Sequence, residues 1–118
     1  MIKQLTLTLS FIILYSNNIF AYNINNECEK QLNKGKFEEA LKAANSVKDK
    51  YDSNFCKGKA NFRLKNNDQA IKDFDMAEKE ASIQADQMQA ILFKGITQRD
   101  SGSYKESSKT FTYGFQTA

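Results

Sequence analysis

Histidine is absent from the 118 residues, and so are proline and tryptophan. Without histidine the chain has no Ser-His-Asp or Cys-His catalysis, no histidine metal site and no c-type haem attachment. Cysteine is scarce: Cys28 and Cys56 are the only two. Their spacing is not the C-x-x-C of a redox site. A tetrahedral zinc site would need carboxylates or a second chain to complete it. The five glycines form no phosphate-cradling loop, and no Asp-x-Asp-x-Asp-Gly calcium loop occurs. Nor does either sign of charge dominate. Seventeen basic and 14 acidic residues give a net charge of +3. They alternate as on a solvated surface with i,i+4 pairs, not as the one-sided basic footprint of a nucleic-acid binder. Carboxylate neighbours such as Glu38/Glu39 and Glu78/Glu80 sit among lysines on polar faces. They read as solvated surface rather than as acid–base pairs. The expectation is a protein that is not an enzyme, with no cofactor and no metal. The abundance of Asn and Lys reads as a codon bias and carries little functional weight.

Long hydrophobic runs are missing too, with one short exception. Lys3 gives a positive start, residues 5–15 form an 11-residue apolar stretch, and Ile19-Phe20-Ala21 offers a small residue for cleavage. This is the layout of a secretory signal peptide over residues 1–21. An uncleaved anchor is the alternative, and the run is well short of the ~20 residues that span a bilayer. No cysteine stands directly after the cut to carry a lipid. Cleavage after Ala21 removes Lys3 and lowers the net charge to +2. The expected location is periplasmic or secreted, with no membrane span left in residues 22–118.

What the chain does have is a 13-residue pattern, three times over. It reads GKFEEALKAANSV at 35–47, KNNDQAIKDFDMA at 65–77 and GSYKESSKTFTYG at 102–114. Ala40, Ala70 and Ser107 share a column of small residues. Lys42, Lys72 and Lys109 share a second column, and Ala44, Phe74 and Phe111 a third. Self-similarity near this period points to stacked helical hairpins. The apolar spacing predicts six helices in three pairs. The first runs over about 26–34 and ends at Gly35 in a left-handed C′ position. The second begins near Phe37 with Glu38 and Glu39 favoured by the helix dipole. Ser53 reads as the N-cap of the third, and Asn66-Asn67-Asp68 as the turn before the fourth. Ser103-x-x-Glu106 is a capping box opening the last. That helix is rich in Ser and Thr and should be the least stable of the six. The columns lie 30 and then 37 residues apart, which predicts a shortened first connection and a lengthened second one.

In these columns the chain resembles the tetratricopeptide repeat family. The likeness rests on Gly35/Phe37 and Gly102/Tyr104 at the turns, on Ala40, Ala70 and Ser107 after them, and on Phe74 and Phe111 one turn later. Cys28, Gly58 and Gly95 supply small residues in the middle of each first helix. The family's proline after each second helix is absent, and Asn67 stands where an aromatic is usual. The resemblance implies an all-α, right-handed stack of three antiparallel hairpins, a TPR-like α-solenoid over 22–118, with repeats at about 24–52, 53–82 and 84–117. It implies that first helices pack side by side, which brings Cys28 towards Cys56. Those two either form a disulfide or fill small-residue slots as free thiols. It implies further that first helices line a concave groove, with Asn33, Lys59, Phe62, Arg63, Gln89, Ile96 and Arg99 facing it. Lys59, Arg63 and Arg99 would then receive a peptide carboxylate or acidic side chains, unless they are ordinary solvated charges. A Lys59→Glu/Arg63→Glu double change should then abolish capture and leave thermal stability unmoved. No solubilising cap helix follows the last repeat, where Phe111, Tyr113 and Phe115 lie. Self-association, a covering partner or a truncated chain would each account for that. The expected function is a protein–protein interaction scaffold of the cell envelope or secreted space. The alternative is an assembly subunit, or the N-terminal part of a longer solenoid.

Overall fold

Six helices and no strand make up the described residues, 23–117, of the computed structural model. The expected signal segment and its cleavage site lie outside the described residues. The helices are α1 (Glu27–Asn33), α2 (Phe37–Ala44), α3 (Lys50–Arg63), α4 (Asn67–Glu80), α5 (Gln84–Asp100) and α6 (Tyr104–Thr117). Each packs against the next in the chain, and α3 also touches both α1 and α5. Among the described residues no helix is long and apolar enough to cross a membrane.

Each pair of helices is joined by the same three-residue turn, and its hydrogen bonds repeat. In the first turn the Gly35 N–H donates to Leu32 O and the Lys36 N–H to Gln31 O. In the second, Lys65 donates to Phe62 O and Asn66 to Asn61 O; in the third, Gly102 donates to Arg99 O and Ser103 to Gln98 O. This is the Schellman arrangement, which satisfies the last carbonyls of a helix and needs a left-handed residue at its centre. Gly35 and Gly102 adopt φ of 76° and 87° at that place. The second turn has no glycine, and Lys65 takes φ 66° instead. Short connections of this kind make the paired helices antiparallel neighbours.

Helix starts follow capping chemistry in two places. The Asn26 side chain accepts from the Glu29 N–H, and the Asp49 side chain accepts from the Asp52 N–H. The cap of α3 is therefore Asp49, not Ser53. Ser53 lies one turn inside, and its hydroxyl donates to Ala44 O (2.8 Å), tying α3 to the end of α2. The uneven repeat spacing has a different origin from the one expected. The loop after α2 is longer than the loop after α4. The 30-residue spacing is short because α2 has only 8 residues against 14 in α4. The 37-residue spacing also reflects α5, which has 17 residues against 14 in α3.

Small and large side chains alternate across the pairs. Gly58 lies under the Phe74 ring and Gly95 under the Phe111 ring, so close that a Cβ at either would overlap the ring. In the first pair the sizes are exchanged: Cys28 occupies the glycine column and Ala44 the phenylalanine column. The core accordingly has two parts. Cys28, Ala40, Ala44, Cys56 and Ala60 form the first, with Leu32, Phe37 and Leu41 against it. Tyr51, Phe55, Ala70, Phe74, Ala77 and Ala90 form the second, with Phe93 wedged among its rings. Phe93 meets Phe55 edge-on at 5.1 Å and Phe74 at 5.7 Å, a geometry that aromatic quadrupoles favour. Cys28 and Cys56 are joined by a disulfide, wholly buried, which bonds α1 to α3. Of the two alternatives for these residues, the bridge is the one found.

Candidate interaction surface

The seven expected groove residues do not act as one set. Lys59, in α3, reaches across to α1 and pairs with the buried Glu29 at 2.5 Å. Its ammonium also lies 4.9 Å from the centre of the Phe55 ring. Arg63, at the end of α3, stacks over Phe37 of α2 at 4.8 Å. Two of the three cations therefore hold helices together, where an ammonium or guanidinium gains from a ring face or a carboxylate. Phe62 packs against the aromatic core. Asn33 is exposed, and Ile96 is half-buried. Gln89 accepts a hydrogen bond from the Tyr51 hydroxyl (3.3 Å), and Arg99 is exposed beside Asp100.

Gln89 and Arg99 do share a surface, which Lys59 and Arg63 do not line. They stand at opposite edges of an apolar face made by α5 and α6. Near Gln89, a depression is lined by Ala85, Met88, Gln89 and Leu92. Next to it, Met88, Ile91, Leu92, Phe111, Gly114 and Phe115 line a cavity of about 170 Å³. Beyond that, Phe111 and Phe115 continue to Tyr104 and Arg99. Arg99 is the only charged side chain lining any of the three. Leu92 is 49% exposed and Phe115 85%. A contiguous uncharged face with large exposed side chains is the usual mark of a binding surface.

The sequence identified Phe111, Tyr113 and Phe115 at this end but did not place Met88 and Leu92 beside them. Repeat arithmetic held the missing signal. Thirty-seven residues before Leu92 is Phe55, which α5 covers in the second pair. Nothing among the described residues covers Leu92 in the third.

Acidic groups gather at the other junction of α3 with α5. Asp52 accepts from the Asn23 N–H (3.3 Å), and the Tyr51 hydroxyl donates to Asp86 O (3.0 Å). Burial, and then the neighbouring charges of Asp49, Asp86 and Glu29, push the Asp52 carboxyl up to about 6 against the downward pull of the Asn23 N–H. Asp86 is likewise raised, by burial first and by Asp49 second, and its Oδ1 has no hydrogen-bond partner among the described residues. Burial raises the Tyr51 hydroxyl too, and Asp86, Asp52 and Asp49 add to it. Among the described residues no three His, Cys, Asp or Glu side chains converge closely enough to hold a metal ion.

No family model, no curated protein and no solved structure matches the chain.

Proposed function

We propose that the chain is a non-enzymatic protein-interaction module, built as a right-handed TPR-like stack of three helical hairpins and exported to the periplasm or beyond. The thrice-repeated turn supports the stack, as do the small-residue columns and the contacts of α3 with both α1 and α5. The disulfide supports export, because such bonds persist in oxidising compartments. It agrees with the signal layout of residues 1–21.

The observation that carries the reading is the open α5–α6 face. Leu92 and Phe115 stand in solvent on a surface with one charge at its rim. Leaving such area in water is unfavourable by roughly 25 cal/mol per Å², which a protein partner would recover. Cross-linking mass spectrometry in the native host tests this. Cross-links from α5 and α6 to another protein are expected, and they should disappear in a Leu92→Asp/Phe115→Asp variant. Partner cross-links that survive both changes would move the site elsewhere. A second reading, an assembly subunit joined through the same face, draws on its scarcity of charge: Arg99 at the rim is the one charged side chain a second copy would bring against it. Sedimentation of the purified protein separates the two, since an assembly subunit would not run as a monomer.

A further inference from the structure

We propose that the cavity between α5 and α6 seats one helix of a partner protein, and that this helix presents a small residue and, three positions on, an aromatic one. The proposal rests on the interaction-module reading and supplies it with a ligand class.

The template lies inside the molecule. In the second pair, Tyr51, Phe55, Phe74 and Ala77 form a seat, and α5 fills it with Ala90 and Phe93. Moving each seat residue forward by the repeat spacing gives Met88, Leu92, Phe111 and Gly114. All four are among the six residues that line the cavity. The cavity is therefore the counterpart of an occupied seat, in the same place on the next pair, and its natural occupant is a helix with the stripe of α5. Met88 and Leu92 are slimmer than Tyr51 and Phe55, so the pocket has room for a full aromatic ring.

Charge narrows the occupant further. In the filled seat, Lys94 of α5 binds Asp75 at 2.6 Å. Thr112 stands at the matching position of the third pair, and no charged side chain lines the cavity. The partner stripe thus needs no cation next to its aromatic residue, and a buried charge on it would go unpaired. Among the described residues, a second copy of this chain does not offer its α5 stripe. Its own Ala90 and Phe93 are already packed internally. In the first pair, Asn23 and Asn26 occupy the matching positions.

The probe is a synthetic peptide with the sequence of α5, residues 84–100, with the change Lys94→Ala and a fluorophore at its N-terminus. Its anisotropy is followed on titration with the full-length protein. Saturable binding is expected, and Phe93→Asp in the peptide should remove it. Leu92→Asp in the protein should weaken binding by about tenfold or more, as for an interface anchor. Phe115→Asp is the second variant; that side chain is 85% exposed, so the fold does not depend on it. Equal binding to wild type and to both variants would overturn the seat. So would a protein that sediments as a dimer and becomes monomeric on Leu92→Asp, because the occupant would then be a second copy. If the peptide fails to bind but the host cross-links still depend on Leu92, the helix class is wrong and the interaction module stands. If neither responds to Leu92→Asp, both are wrong.

Discussion

Lys65 occupies a conformation that suits glycine. An L-residue in the left-handed region is disfavoured by roughly 1–2 kcal/mol, and Lys65 sits there at φ 66° while the equivalent residues of the other turns are glycines. Lys65→Gly relieves that strain but loosens the unfolded chain, which takes back part of the gain. The expected net effect is a stabilisation of about 0.5–1 kcal/mol, or several degrees in Tm for a domain of this size. Gly102→Ala should move Tm the other way. Thermal melts followed by circular dichroism compare the two. The position of this turn was legible in the sequence from its alignment with Gly35 and Gly102. The left-handed lysine was not, because side-chain type favours another conformation there and the six-residue hydrogen-bonded turn overrides it. Asp52 gives a second test at this scale. Its folded value of about 6 stands above the usual carboxylate value of 3.8. The folded state therefore binds the proton more tightly than the unfolded chain. That contribution is complete below pH 4 and is lost as pH rises through 6. Wild type should lose Tm between pH 4 and 7 relative to Asp52→Asn, which has no proton to release. Parallel slopes for the two proteins would show that the carboxyl is not perturbed.

At the scale of elements, the first pair is the weakly packed one. Its core is cysteine and alanine, whereas the second pair holds Tyr51, Phe55 and Phe74. Helix α1 has 7 residues and α2 has 8, too short to persist without tertiary contacts. The disulfide closes a loop with a sequence separation of 28, and chain-entropy arguments give it roughly 3.5 kcal/mol. Most of the retention of α1 and α2 therefore falls to that bond. A Cys28→Ala/Cys56→Ala protein should show faster amide hydrogen exchange in α1 and α2, by tenfold or more on the order set by that energy, with little change in α4 and α5. Uniform loss of protection across all six helices would mean that the pairs unfold together. The sequence showed all six helices, because apolar spacing reports them directly. It misplaced the start of α3, since Asp49 and Ser53 are both good caps and only the tertiary bond from Ser53 to Ala44 decides between them. It also attributed the uneven repeat to connections, because a column alignment fixes register but not where each helix stops.

For the whole molecule, the cations were the least legible part. Lysine and arginine on a first helix look alike in sequence whether they face a ligand or a neighbouring helix. Lys59 and Arg63 face neighbours, Glu29 and Phe37. The groove test that uses Lys59→Glu therefore changes stability as well as binding. It would set two carboxylates against each other where one is buried, and breaking such a pair costs about 3–5 kcal/mol. A fall in Tm of more than 10 °C is the expected outcome, read from thermal melts of the single Lys59→Glu protein. An unchanged Tm would mean that the Glu29 contact contributes nothing.

The bond between α1 and α3 also shapes how the chain would respond to tension. Pulled from its two ends, an unbridged chain pays out all of its length as it unravels. Here the stretch between Cys28 and Cys56 stays looped off, because a covalent bond bypasses it. At roughly 3.4 Å per extended residue, about 90 Å of contour is never released. Helix α2, entirely within that loop, carries no load at all. The third pair lies outside the bridge and can pay out its full length. A molecule that holds a partner on its last pair while anchored near its start would thus lengthen at the partner's end and keep the bridged loop at its root closed.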